Sequence, residues 1–342
     1  MKTTMSPTRI IAEIGVNHNG SLEMALDLIE KCANAGADIV KFQTFSAQRL
    51  ASRDAPKADY QIKQDGEGSQ FEMLKRLELS DDDHRVLIQH CIDNRVEFLS
   101  TGFDEIDLEM LVNLGITQIK IPSGEMTNLP YLRAVASYQL PVLMSTGMAT
   151  MEEVEASISA LLDAGLQRNN LTILHCTSSY PAPDNELNLN AMIAMQRHFG
   201  LPVGYSDHSE GIEASVIAAC LGATVIEKHV TLDRRLPGPD HLASIEPKNL
   251  TELASIIRRK DVMMGSALKI PSKSELDIAK VARKSIVAGQ DIRNGDLLTK
   301  NNIALKRPGT GLSPMQWDKV IGTRAVRDFK KDEAIVLTLK ND

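Results

Sequence analysis

The sequence predicts an α/β protein: a closed (β/α)8 barrel followed by a small β-rich domain. Three observations carry the prediction. From residue 8 to about 260, short β-branched runs alternate with longer segments of helical periodicity, the signature of repeated βα units. The polar residues of each strand gather toward its C-terminal end, which in a barrel surrounds one mouth. An open doubly wound sheet would instead gather its site near one switch point. Beyond about residue 265 the rhythm stops and short apolar strands separated by Gly and Pro take over.

The eight strands read in chain order as RIIAEIGV, ADIVKFQTF, VEFLSTGF and QIKIPSG, then PVLMSTG, LTILHCT, PVGYSDH and ATVIEKHVT. Helices such as SLEMALDLIEKCANAG, TMEEVEASISALLDAG and GIEASVIAACLG lie between them. They end at Gly36, Gly165 and Gly222, as expected where the chain needs a positive φ just past a helix. The boundaries are placed at 1–265 for the barrel, 266–282 for a linker and 283–342 for the small domain. In the last, DIRNGDLLTKNNIAL and DFKKDEAIVLTL repeat one pattern, a charged turn and then a short apolar strand. A domain of that size is marginal alone and is expected to lean on something.

A chain of 342 residues accommodates such a barrel with room for one small domain. The 43% hydrophobic and 24% charged composition argues against disorder. A net charge of −7 argues against nucleic acid as the main partner. No apolar run approaches the roughly 18 residues of a membrane span, and the start MKTTMSPT lacks a signal-peptide core. A cytoplasmic protein without a membrane partner is therefore expected. The cysteines Cys32, Cys91, Cys176 and Cys220 form no CxxC pair, so neither a disulfide framework nor a thiolate zinc site is expected.

VIEKHV, residues 225–230, sets a carboxylate, an ammonium and an imidazole at the centre of a strand. Period-two alternation puts Glu227 and His229 on one face and Lys228 on the other. His208 and His229 close adjacent strands, where two neutral imidazoles could share a divalent ion such as Mn²⁺ or Mg²⁺; two hydrogen-bonded pocket histidines fit the spacing equally. Lys41 and Lys120 interrupt apolar strands, a costly placement without an anion, whether substrate or an ion-pair partner such as Glu13 or Glu125. A Schiff-base lysine remains open. Ser123, Ser145, Thr146 and Ser206, with Gly124 and Gly147, offer hydroxyls and amides suited to phosphate. Glu13 suits a general acid or base, or a salt bridge to Lys41. The long loop LDRRLPGPDHLAS brings Asp240 to the active face, and KRPGTG presents Arg307 on a glycine-rich turn.

AEIGVNHNG, VKFQTF, KIPSGE, STGMAT, LHCTSSYP, GYSDHS, EKHVTLD, GPDHLASIEP and KRPGTG resemble, in order and spacing, the signatures of the sialic acid synthases. That family condenses phosphoenolpyruvate with N-acetylmannosamine or a related N-acylated amino sugar. The resemblance covers nearly the whole chain, including a C-terminal segment similar to the antifreeze-like (SAF) domain. It implies a domain-swapped homodimer, with His208 and His229 as ligands of a divalent metal, usually Mn²⁺. It implies Glu13 and Asp240 as catalytic carboxylates, Asp240 lying with Tyr180 where the sugar sits. Lys41, Lys120, Ser123, Ser145 and Ser206 are implied where phosphoenolpyruvate is held, Gln43 nearby and Thr101 in the same substrate-binding set. Arg307 is implied to reach the sugar's acyl group from the neighbouring subunit. The product expected first is N-acetylneuraminate. The alternatives are a legionaminic or pseudaminic acid synthase, a Schiff-base aldolase or a non-catalytic binding protein.

Overall fold

The structure, a computed structural model, describes residues 7–338. The start of MKTTMSPT and the last four residues lie outside them. The chain divides into two compact units, one ending at Gly265 and the other beginning at Ser266.

The first unit is built on eight parallel strands: β1 (Arg9–Gly15), β2 (Ile39–Thr44), β3 (Glu97–Gly102), β4 (Ile119–Ile121), β5 (Val142–Ser145), β6 (Leu171–Cys176), β7 (Val203–Asp207) and β8 (Val225–His229). They are hydrogen-bonded in the order β3-β2-β1-β8-β7-β6-β5-β4, and β3 and β4, at the two ends of that order, pack beside each other and close the cylinder. Helices follow the strands, as the alternation predicts. Helix Met151–Asp163 is typical: Thr150 caps its N-terminus reciprocally with Glu153, and Gly165 beyond its end has φ 102°.

Register gives each barrel face its chemistry. Ile10, Val40, Phe98, Met144, Ile173 and Ile226 face outward and join the core under the helices. Ile11, Ile39, Leu99, Leu143, Leu174 and Val225 face inward and form a separate apolar plug. Because side chains repeat every two residues, the positions two further along stand one layer above that plug. They are Glu13, Lys41, Thr101, Ser145, Cys176 and Glu227. The plug is a dry floor and the next layer is the floor's polar lining.

Lys228, on the outer face of β8, is fully buried and pairs with Asp207 at 3.0 Å while donating to the Ser209 carbonyl at 2.6 Å. Asp207 also accepts from the hydroxyls of Ser209 and Ser215. Every partner is satisfied, which is the condition for so deep a pair; removing one member of such a pair typically costs about 3–5 kcal/mol. The ammonium of VIEKHV is a brace behind the barrel wall, and the carboxylate and imidazole face the mouth.

The second unit holds two antiparallel strands, β9 (Ser285–Ala288) and β10 (Ile303–Lys306). Its two sequence copies face each other: Ile292 and Phe329, each second in its copy, exchange backbone hydrogen bonds of 2.9 and 2.8 Å. Ile286, Leu298, Ile303, Val320, Phe329 and Ile335 form its own small core. The segment predicted as a linker is not unstructured. It contains helix Lys273–Ala282, started by a reciprocal cap between Ser272 and Glu275.

Candidate active site

A cavity of about 490 Å³ opens at the C-terminal ends of the barrel strands. Glu13, Lys41, Gln43, Thr101, Lys120 and Ser123 line it. So do Ser145, Tyr180, Ser206, His208, His229 and Asp240. The barrel residues that the resemblance places in the catalytic, substrate-binding and metal sets all line this one chamber. Thr146 and Gly147, also expected at the phosphate, do not line it; the Thr146 hydroxyl donates instead to the Leu174 carbonyl at 3.0 Å. Arg307 belongs to the second unit and is exposed there.

The floor of the cavity is a four-charge cluster. Lys41 Nζ lies 2.7 Å from Glu13 and 3.8 Å from Glu227. Lys120 Nζ donates to both oxygens of Glu227, at 2.9 and 3.1 Å. Ser206 donates to Glu227 at 2.9 Å, Lys41 to Thr101 at 3.2 Å and Gln43 to Glu13 at 3.2 Å. All four ionic side chains are at least 95% buried. Two ammonium groups and two carboxylates balance, which is how the barrel tolerates charge at this depth.

The cluster pulls its members apart. Burial alone would raise Glu227, but Lys120 and Lys41 outweigh it and hold this carboxyl well below the usual range. Burial pushes Glu13 up to about 7, with Glu227 adding to the rise and Lys41 opposing it. Burial lowers Lys120, and Lys41 adds to that against the pull of Glu227. In Lys41 the attraction of Glu13 and Glu227 overcomes burial and the pKa rises. Of the two carboxyls, Glu13 is the one that exchanges a proton near neutrality.

The stability sign follows. Native Glu13 keeps its proton to about pH 7, while the unfolded side chain releases it near the ordinary 4.5, so the native state binds more protons between those values. Its contribution to stability is present at the acid end of that window and is lost as pH rises through it. Buried histidines such as His208 and His18, both lowered to about 4, act in the opposite sense. A difference measurement isolates Glu13. From pH 5 to 8 the unliganded wild type loses up to about 3 kcal/mol relative to Glu13→Gln in urea titrations. A constant difference across that range would show that Glu13 does not titrate there.

Above the cluster the two histidines stand with ring centroids 5.5 Å apart. His208 Nδ1–H donates to the Thr177 carbonyl at 2.7 Å, which leaves the Nε2 lone pair toward the cavity, 3.2 Å from Tyr180 Oη. His229 Nδ1 is buried with no hydrogen-bond partner among the described residues, and Asp240 Oδ2 lies 3.9 Å away. Burial lowers both histidines, and His208 also lowers His229. Both imidazoles are neutral, and a borderline cation would take the unpartnered His229 nitrogen and displace the Tyr180 and Ser206 hydroxyls from His208 Nε2. Among the described residues no three His, Cys, Asp or Glu side chains converge as a ready metal cage. The pair fits an ion whose remaining shell is water and substrate oxygen.

The wall beside Lys120 supplies hydroxyls. Ser145 Oγ is buried without a hydrogen-bond partner among the described residues. Ser123 Oγ accepts from the Gly147 amide at 3.0 Å and sits 3.2 Å from Cys176 Sγ. A Cβ at Gly147 would run into Ser178 Oγ and stand 2.8 Å from Ser123 Oγ and 2.9 Å from Cys176 Sγ, so a larger residue there would displace these side chains from the wall.

Two expectations are corrected. Lys120 pairs with neither Glu13 nor Glu125; its partner is Glu227, and Glu125 instead accepts from Asn128. Glu227 is absent from the candidate set, although alternation already put it beside His229. Two inward lysines demand two inward carboxylates, and that charge count would have selected it.

Comparison with known proteins gives a consistent picture. The NeuB family model matches residues 28–269 and the SAF domain model residues 283–338. The chain is 47% identical to the N,N'-diacetyllegionaminic acid synthase of Campylobacter jejuni, over 97% of this chain and 99% of that protein. It is 46% identical to the protein of the same name in Legionella pneumophila, over 92% and 89%. Among solved structures, the N-acetylneuraminic acid synthetase of Leptospira borgpetersenii, in complex with citrate, superposes with a TM-score of 0.71 at 33% identity, covering 80% of this chain and 90% of that one. Among the described residues no helix is long and apolar enough to cross a membrane.

Proposed function

Since the chain belongs to the NeuB family, whose members are phosphoenolpyruvate-using transferases, we propose that it condenses phosphoenolpyruvate with a diacetamido amino sugar to give N,N'-diacetyllegionaminic acid and phosphate. The observation that carries the condensation is the cavity itself, with Lys41 and Lys120 at its floor and two neutral histidines above. The choice of acceptor departs from the first expectation of N-acetylneuraminate. It is supported by 47% and 46% identity to two N,N'-diacetyllegionaminic acid synthases, against 33% to the sialic acid synthetase of known structure.

Phosphoenolpyruvate brings a carboxylate and a phosphate. Lys41 and Lys120 meet them, and the Ser145 hydroxyl, unpartnered until then, completes the cradle. A balanced cluster has no net attraction for an anion. When the substrate takes over Lys41, Glu13 loses its stabilising cation and its carboxyl, already raised to about 7, takes up a proton. The cluster becomes cationic as the anion arrives, and Glu13 becomes a proton source beside the reacting carbons. His208 and His229 would hold the divalent ion, Mn²⁺ or Mg²⁺, which when bound supplies a Lewis acid for the acceptor's aldehyde oxygen. Tyr180 and Asp240 orient the sugar around that oxygen. The phosphoenolpyruvate C3 attacks the aldehyde carbon and the aldehyde oxygen takes the Glu13 proton. Water adds at C2 and gives a proton back to the Glu13 carboxylate, and the C2–O bond to phosphate breaks as the remaining hydroxyl loses its proton to the departing phosphate and becomes the 2-keto group. The depth of the cluster excludes other water from that step.

The assignment is tested with two acceptors. The ratio of kcat/KM for the 6-deoxy diacetamido hexose over N-acetylmannosamine is expected to exceed about 10, within the range one substituent commonly commands. A ratio below one would return the enzyme to N-acetylneuraminate synthesis.

We assign Arg307 to the acceptor's acyl group, in a homodimer where one copy's SAF domain serves its partner's barrel, as the family resemblance implies. Arg307→Ala then raises KM for the acceptor about tenfold and spares that for phosphoenolpyruvate. An unchanged acceptor KM removes Arg307 from the site.

A further inference from the structure

The stretch that follows β8 is long enough to serve as a moving cover, and it carries Asp240. The structure shows it tied down at both ends by the turn that follows β1. Asn17 Nδ2 donates to the Val230 carbonyl at 2.9 Å and to Ser244 Oγ at 2.8 Å, and that hydroxyl donates to the Asp240 carbonyl at 2.7 Å. Two residues on, Asn19 Nδ2 donates to the Pro237 carbonyl at 3.1 Å, while Asn19 Oδ1 accepts from His241 Nε2–H at 3.1 Å. The other ring nitrogen of His241 accepts from the Thr231 hydroxyl at 2.7 Å. His241 is 1% exposed, so each of its ring nitrogens is spent on holding this loop.

Packing at the clasp is tight. Gly238 has φ 145°, and a Cβ there would stand 2.8 Å from both Asn19 Oδ1 and His241 Cδ2. Asn19 itself has φ 51°, a conformation that asparagine adopts more readily than other side-chain-bearing residues. Sequence places these partners more than 200 residues apart, and only barrel closure between β1 and β8 joins them.

We propose that Asn17, Asn19 and His241 are positioning residues that pin residues 231–245 across the β1–β8 junction, so that Asp240 is presented to the acceptor sugar from a fixed wall and not from a mobile cover. None of the three lines the cavity, so their effect passes through Asp240. The inference rests on the reading that Asp240 serves the acceptor.

The test uses Asn19→Gly, which removes the amide while keeping the backbone conformation free of strain, and Asn19→Asp, which retains the oxygen that His241 donates to. Asn19→Gly is expected to raise KM for the acceptor about tenfold, with KM for phosphoenolpyruvate within twofold of wild type, and to speed amide hydrogen exchange in residues 231–245. Asn19→Asp keeps the acceptor for His241 but loses the donor to the Pro237 carbonyl, and so recovers both effects in part. Unchanged acceptor KM with unchanged exchange in Asn19→Gly overturns the proposal, as does an Asp variant no better than Gly. Asp240→Asn separates the two readings. If it leaves the acceptor KM unchanged, the role of Asp240 fails, and the exchange rates alone then decide whether the loop is pinned.

Discussion

Lys120→Met lowers kcat/KM for phosphoenolpyruvate on the order of 10³-fold, while KM for the acceptor changes far less. The size of the effect comes from the cluster's balance. Lys120 holds both oxygens of Glu227, and without it that carboxylate retains only Lys41, 3.8 Å away. Glu227 is then left to the more distant Lys41 in a chamber where none of these groups is more than 4% exposed, and the incoming trianion loses one of the two ammonium groups that would meet it. Methionine keeps the length and the apolar stem, so the change reports charge and hydrogen bonding more than a cavity. Steady-state kinetics with each substrate varied in turn measures it. A phosphoenolpyruvate KM within threefold of wild type, with kcat preserved, would mean the phosphate is held elsewhere.

His208→Ala and His229→Ala each reduce turnover more than 10²-fold, since loss of an outer-shell partner of a metal ligand already costs about 10–100-fold in affinity or activity. The mechanism differs from that at Lys120. Each substitution removes one of two imidazoles kept neutral by burial, and each should weaken Mn²⁺ binding measured by electron paramagnetic resonance while leaving phosphoenolpyruvate affinity near wild type. If both variants bind Mn²⁺ as wild type does, the ion is held by other groups and the pair serves as hydrogen-bonding residues only.

How far the sequence could carry these conclusions depends on whether a feature is local. The eight strands are legible because each is a β-branched run whose alternation repeats within a few residues. The polar ring is legible for the same reason, since Glu13, Lys41, Thr101, Ser145 and Glu227 each follow an inward apolar residue by two. Helix Lys273–Ala282 has a local signal as well, Ser272 and Glu275 being spaced as a reciprocal cap, but the loss of the βα rhythm around it makes the segment read as a linker. The pairing of Lys120 with Glu227 is non-local, spanning 107 residues, and no window around either residue contains the other. The hold of Asn19 on His241 is of the same kind. Closing the barrel creates both, and charge balance was the one sequence-level argument that could have reached the first.

The account turns on one chamber that binds an anion at its floor and an ion-activated aldehyde above it. The most direct measurement is release of inorganic phosphate from phosphoenolpyruvate by the full chain, with and without acceptor, before and after EDTA and again after Mn²⁺ is restored. The account predicts release only when acceptor and metal are both present, lost on chelation and recovered on restoration. Release that ignores chelation, or a pyruvate adduct trapped on Lys120 by borohydride with no phosphate released, would contradict it.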